Sequence, residues 1–169
     1  MNLEALVRFV HEAGSLKLMP RSGWLKIGIK FPESVAEHSF RTALLAFIIA
    51  FFETKDFDIA CKASAAAIFH DLPEARTMDL HKIARNYVDV DEDKALKEQI
   101  SQLEFKPEFS GVEDFVRDAD RLELAFQAVE YSTTYGFAIE FAQNLEFKTK
   151  TARKIYEHLM KKSDPRWWK

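Results

Sequence analysis

A chain folds into a many-stranded sheet only if it has the residues to turn between strands. This one has few of them: five Gly and five Pro in 169 residues, about half the usual share. Four of those ten fall between residues 20 and 32, so most of the remaining chain must run uninterrupted. No alternation of strand type persists anywhere, and long stretches carry apolar residues at helical spacing. The expectation is an all-α fold, a single helical-bundle domain over residues 1–169, with no repeat and no low-complexity segment.

The elements can be placed by their end signals. Asn2 can cap a first helix with Leu3, Leu6, Val7 and Val10 at helical spacing, and Gly14 is a plausible stop. Residues 15–33 keep no period and read as one long loop, a type of segment that is usually functional in a compact domain. Ser34-Val35-Ala36-Glu37 is a capping box. It opens a helix to about Phe52, with His38, Thr42, Leu45, Ile49 and Phe52 along one face. Asp58 can cap the next, alanine-rich helix, which Pro73 stops just past His70-Asp71. A short irregular piece, Glu74 to Asp79, follows. Asp79 or Thr77 then caps a helix through His81 to about Val88. The acidic turn Asp89–Asp93 suits the start of a polar helix to Leu103. From Val112 to Tyr135 the positions Phe115, Val116, Ala119, Leu122, Ala125, Phe126 and Val129 hold a helical stripe that Gly136 ends. Two further helices are expected over residues 137–144 and 149–162.

Composition excludes several classes. Hydrophobic residues are 47% and charged residues 30% of the chain, a globular mix rather than a disordered one. One cysteine rules out a disulfide framework and a four-cysteine zinc site. A net charge of −3 argues against extensive nucleic-acid binding. The longest apolar run, Ala43 to Phe52, has ten residues against the ~20 of a membrane span, so no membrane partner is expected. With no signal-peptide core at the N-terminus and a single thiol, the expected location is cytoplasmic.

Chemistry must come largely from the five histidines and their acidic neighbours. His70 and Asp71 follow the apolar AAAIF, where burial is expected, and a buried carboxylate needs a partner or a metal. His38 lies on the inward face of its helix. Asp120 shares the 112–135 stripe and can look into the core, whereas Asp118 and Arg121 can face solvent or pair locally. Each residue alone is ordinary. Together they offer two imidazoles and two carboxylates, a donor set for one divalent ion such as Co, Mn, Ni, Fe or Zn. Four protein donors on an octahedral ion leave room for water and substrate. His81 reads as structural or as a neighbour of the metal ligands, and His11 and His158 as surface residues.

The stretches EHSFR, IFHDLPEA and VRDADRLE resemble the first His, the His-Asp pair and the last Asp of the HD-domain metal-dependent phosphohydrolases. PRSGWLKIGIKFPESVAEHSFR, HDLPEARTMD and DADRLELAFQAVEY further resemble the 5′-deoxynucleotidase branch of that family, over roughly residues 15–135. The resemblance implies metal-ligand positions at His38, His70, Asp71 and Asp120. It implies an acid beside the metal water at Glu74 and a second acid near the leaving group or sugar at Asp79. Trp24 takes the position of an aromatic that stacks near the nucleoside. Family members can carry an Arg directly before that Trp. Here Gly23 stands there, and Arg21 is carried over as the phosphate contact. Members of the branch are commonly dimers, and Phe105, Phe109, Trp167 and Trp168 are candidates to cover such an interface.

The expected reaction is hydrolysis of a deoxyribonucleoside 5′-monophosphate. It needs an activated water, charge neutralisation on phosphate, and a proton for the leaving alkoxide. Glu74 and Asp79 are available for the proton roles, against a plain capping role after Pro73. Arg21 or Arg41 could hold phosphate. The alternatives are an HD hydrolase of triphosphates, like the one in oxetanocin biosynthesis, and a non-catalytic helical binding module.

Overall fold

The computed structural model describes residues 2–101, 103, 106–161 and 164–169. Among them are eight α-helices and three short 3-10 segments, with no strand beyond one isolated bridge between Pro20 and Ser34. The chain is all-α, as its scarcity of turn residues requires. Packing divides it into two compact units: Met1–Phe40 with Ile68–Glu108, and Arg41–Ala67 with Phe109–Lys169.

In the first unit, α1 (Leu3–Gly14) is capped by the Asn2 side chain, which accepts from the Ala5 amide. The α-helix ends at Gly14, as expected. Gly14 keeps a helical φ of −62°, and the chain tightens into a 3-10 turn over Ser15–Leu18. The buried face of α1 is rotated from the expected one. Ala5 is buried and Phe9 stacks on Phe69, while Leu3, Val7 and Val10 are each more than half exposed. The loop over 15–33 is more ordered than its sequence suggests. It holds a one-turn helix α2 (Ser22–Leu25) around a buried Trp24, and backbone bonds from Arg21 to Glu33 and from Val35 to Met19 tie its two ends together.

The capping box forms as expected. Ser34 Oγ accepts from the Glu37 amide, and the Glu37 carboxylate accepts from the Ser34 amide at 2.6 Å. It starts α3 (Val35–Thr54). After α4 (Phe57–His70), Pro73 leads into a single turn, α5 (Glu74–Thr77), where an irregular piece was expected. The expected helix from His81 to Val88 is only a 3-10 turn over Ala84–Asn86. There His81 Nδ1 accepts from the Ala84 amide and serves as a cap, which is a structural role. Next comes α6 (Glu92–Ile100), capped by Asp91. Leu16, Val35 and Leu72 form the buried centre of this unit. Gln99 donates to the Leu72 carbonyl and to Glu12, and Arg76 reaches both Glu12 and Glu98, which clamps the turn after the His-Asp pair.

The second unit is built on small side chains. Ala60, Ala63, Ala66 and Ala67 of α4 join Ala46, Ile49 and Ala50 of α3 and Val116, Ala119 and Leu122 of α7 (Glu113–Ser132) in one core. Alanines let helices approach closely, so dense packing is reached with little side-chain entropy lost. The α4 cap is Asp56, whose carboxylate accepts from the amides of Asp58 and Ile59, rather than Asp58 itself. The stripe expected on α7 is buried or half-buried throughout. Residues 137–144 form a 3-10 segment (Gly136–Ala142) instead of a helix, and α8 (Lys150–Lys161) closes the unit. Asp118, expected to face solvent or pair locally, is wholly buried. It accepts the amides of Lys148 and Thr149 ahead of α8, which is why it can be interior.

By length and composition α3 could cross a membrane, with a mean hydropathy of 1.5, but half of its most apolar window is buried inside the protein. Among the expected interface aromatics, Trp167 and Trp168 are strongly exposed and Phe109 packs against the core. Phe105 lies outside the described residues.

Candidate metal centre

The first unit brings together most of the residues singled out by sequence. The capping box starts α3 at Val35, which places His38 in the first turn with no exposed surface. His70 is the last residue of α4, and Asp71 follows it directly. His38 Nε2 lies 3.3 Å from Asp71 Oδ2, and His70 Nδ1 lies 2.6 Å from Asp71 Oδ1. One buried carboxylate is thus flanked by two imidazoles. Burial alone would push the Asp71 carboxyl upward, but bonding to His38 and His70 and their charges hold it far below the usual carboxylate range. Asp71 is 7% exposed, whereas the His70 side chain is 43% exposed. The expected burial therefore holds for the acid and not for the imidazole, which opens outward.

Glu74 begins the single-turn helix after Pro73, and its amide bonds to the Asp71 carbonyl. Its side chain is 4% exposed, and Oε2 has no hydrogen-bond partner among the described residues. It therefore caps nothing. Burial pushes its carboxyl up to about 8, helped by the charges of Asp71 and Asp79 and opposed by Arg21 and His38. Such a group holds a proton at neutral pH, an unusual condition for a carboxylic acid and a recurrent one at reactive sites.

Asp79 is set by a backbone reversal. Met78 has φ +64°, the left-handed region, which turns the chain sharply after α5. Asp79 Oδ2 then accepts the Ser22 amide at 2.6 Å, and Ser22 Oγ accepts the His81 amide. Arg21 reaches over this junction, with Nη1 4.0 Å from Asp71 and 3.9 Å from Asp79. Its side chain is mostly covered, and two carboxylates share its charge at the outer limit of ion pairing.

Two expected contacts are placed differently. Trp24 is 2% exposed and donates its indole N–H to Glu33 at 3.1 Å, so its ring is a wall of the loop instead of an open stacking face. Arg41 belongs to the second unit, where Glu123, Gln127 and Glu130 take up its guanidinium at 2.6–2.9 Å. These bonds brace Arg41 against α7. Asp120 also lies in the second unit, half-buried on α7 beside the fully buried Ala119.

Sequence reasoning overlooked Ser22 and Glu33. Ser22 joins the 20s loop to the Asp79 strand of chain through both its amide and its hydroxyl. Glu33 accepts from Trp24, and one of its oxygens lies within 4.8 Å of a His38 ring nitrogen. The signal for both was present, since they bracket the loop between the Pro20 and Ser34 bridge partners, but a single sequence gives no register for such a loop.

The donor chemistry fits a divalent ion. Imidazole nitrogens and carboxylate oxygens are gathered on one side of a partly open histidine, with a buried carboxyl oxygen left without a partner beside them. The profile of the HD domain family matches residues 13–109. The chain is 30% identical over 145 residues to the protein named 5′-deoxynucleotidase HDDC2 from Homo sapiens, covering 75% of this chain and 68% of that one. It is 25% identical over 160 residues to 5′-deoxynucleotidase hdd1 from Schizosaccharomyces pombe, covering 82% and 78%. Among solved structures, the predicted coding region AF1432 from Archaeoglobus fulgidus superposes with a TM-score of 0.84 at 52% identity, covering 98% of this chain and 99% of that one. A crystal structure described as genomics APC5600 superposes with a TM-score of 0.96 at 60% identity, with the same coverage.

Proposed function

The chain belongs to the HD domain family, and from that premise we propose that it is a metal-dependent phosphohydrolase that cleaves deoxyribonucleoside 5′-monophosphates to deoxynucleoside and phosphate. The observation that carries this reading is the His38–Asp71–His70 constellation beside the unpartnered, buried Glu74 oxygen. His38, His70 and Asp71 would hold one divalent ion of the Co, Mn, Ni, Fe or Zn type. When bound, such an ion lowers the pKa of water and polarises a phosphoryl oxygen.

The chain's own residues supply the rest. Asp71 keeps both imidazoles oriented. Glu74 Oε2 accepts a hydrogen bond from the attacking water or passes a proton at that atom, since its carboxyl is poised near 8. Asp79, held by Ser22, faces the leaving oxygen or the sugar. Arg21, which lies beside Asp71 and Asp79, would present N–H groups to phosphate oxygens. Trp24 contributes by fixing the loop that carries Arg21.

The test is phosphate release from a panel of deoxyribonucleoside and ribonucleoside mono-, di- and triphosphates with added divalent ions. Release from the deoxyribonucleoside monophosphates, lost in Asp71→Ala, supports the proposal. Preference for triphosphates would move the chain to the alternative HD hydrolases, and no release from any of them would leave a binding module.

We also propose a homodimer, supported by exposed Leu3, Val7 and Val10 on one helix and by Trp167 and Trp168. Light scattering at the monomer mass would overturn it. A net charge of −3 supports a nucleotide rather than a nucleic-acid substrate. The single cysteine supports a reducing, cytoplasmic setting.

A further inference from the structure

The second unit carries a cavity of about 460 Å³ that the reaction above does not use and that lies outside the residues matched by the family profile. Arg121, Lys148 and Arg153 line it. The other described arginines of this unit are paired: Arg41 with Glu123 and Glu130, Arg117 with Asp114, Arg166 with Asp164. The three cavity cations have no carboxylate within ion-pair distance among the described residues. Two of them are nonetheless fixed. Arg121 Nη1 donates to the Glu146 carbonyl at 2.6 Å, and Arg153 Nη2 donates to the Phe147 carbonyl at 3.1 Å. A carbonyl orients a guanidinium without neutralising it, and each keeps further N–H groups for an anion.

The rest of the lining narrows the ligand. Tyr156 is held by its hydroxyl on the Ala142 carbonyl and packs against Phe147 with ring centroids 5.0 Å apart, which gives a rigid aromatic wall. Glu146 and Glu157 also line the cavity. Carboxylates beside three cations disfavour a polyanion and accept well from hydroxyl groups. The volume lies within the range of small-molecule sites, roughly 300–1,000 Å³.

We propose that this cavity binds a phosphomonoester carried on a hydroxyl-bearing ring, such as a nucleoside monophosphate. The phosphate sits among Arg121, Lys148 and Arg153, the ring lies against Tyr156, and the hydroxyls face Glu146 and Glu157. This site shares no residue with the candidate metal centre, and the inference stands whether or not the chain is a hydrolase.

The experiment is hydrogen–deuterium exchange on the full chain with and without AMP, alongside calorimetric titration. AMP should slow exchange across residues 145–157. A Lys148→Glu/Arg153→Glu double variant, altered at two exposed positions, should bind there at least about tenfold more weakly, because two charge-assisted contacts are reversed. Inorganic phosphate at equal concentration should protect the segment less than AMP. No protection of 145–157 by AMP, or equal protection in the double variant, overturns the site. Equal protection by phosphate overturns the assignment of a ring-bearing ligand.

Discussion

Glu74 and Glu123 are equally interior, at 4% and 1% exposed, yet their surroundings are opposite. Glu123, in the second unit, accepts from Arg41 at 2.9 Å, and Gln127 and Glu130 complete the guanidinium's bonds. Glu74, in the first unit, has one oxygen with no partner and the carboxylates of Asp71 and Asp79 for neighbours. Burying an acid is costly unless its charge is matched. In one unit the cost is offset on the spot, and the product is a cross-braced pair of helices. In the other it is carried as a retained proton. A satisfied buried acid braces a fold, and an unsatisfied one keeps its proton exchangeable.

The largest effect that separates the two is on rate. Glu74→Gln keeps the shape of the side chain and removes its ability to exchange a proton. Steady-state phosphate release should fall by a factor on the order of 10²–10⁴, while the melting temperature holds or rises because a buried acid is gone. Full activity in this variant would break the comparison from the Glu74 side. Glu123→Ala should do the reverse job on stability. Leaving Arg41 without its most buried partner should cost about 3 kcal/mol in chemical denaturation, the low end for a broken buried pair because Arg41 is partly exposed.

The comparison also has a pH signature. The Glu74 carboxyl is raised from an ordinary 4.5 to about 8 in the folded, metal-free chain. A group whose folded pKa is raised contributes stability that is fully present below its unfolded value and is lost as pH rises through the folded one. The metal-free protein should therefore lose stability between about pH 5 and pH 8, and Glu74→Gln should flatten that slope. Urea titrations of both proteins across the window would show it, and identical slopes would remove Glu74 as its source.

The sequence made the fold class legible because few turn residues and a sustained helical period leave little else. The capping box at Ser34 and the stripe on α7 are local signals, and both formed where expected. What could not be read depends on partners far along the chain. The rotation of α1 is set by Phe69, and Asp118 is interior only because two amides ahead of α8 reach it. The helix expected after His81 reduces to one 3-10 turn, where His81 caps Ala84 and its amide is held by Ser22. For the site, His38, His70, Asp71, Glu74 and Asp79 stood out as residue types. From sequence Arg21 is the carried-over phosphate contact, with Arg41 as a second candidate, and the structure shows Arg41 engaged by Glu123, Gln127 and Glu130 on α7. Arg21→Gln should accordingly raise KM by about tenfold, the value of one lost charge-assisted bond, with a small change in melting temperature. Arg41→Gln should lower the melting temperature by about 5 °C or more. A mere stability effect at Arg21 would erase the distinction.

The smallest expected effect tests the boundary between scaffold and contact in the same loop. Trp24 carries Glu33 on its indole N–H, and Glu33 lies close to His38. Trp24→Phe keeps an aromatic ring of similar bulk and deletes only that donor. One lost neutral-to-charged hydrogen bond in a buried setting should cost about 1–3 kcal/mol of stability. KM for the nucleotide should move less than it does in Arg21→Gln, because the ring is enclosed and holds the loop instead of touching the ligand. If Trp24→Phe instead raises KM as strongly as Arg21→Gln while leaving stability intact, the ring meets substrate directly, and the loop must then open from the closed arrangement that buries Trp24.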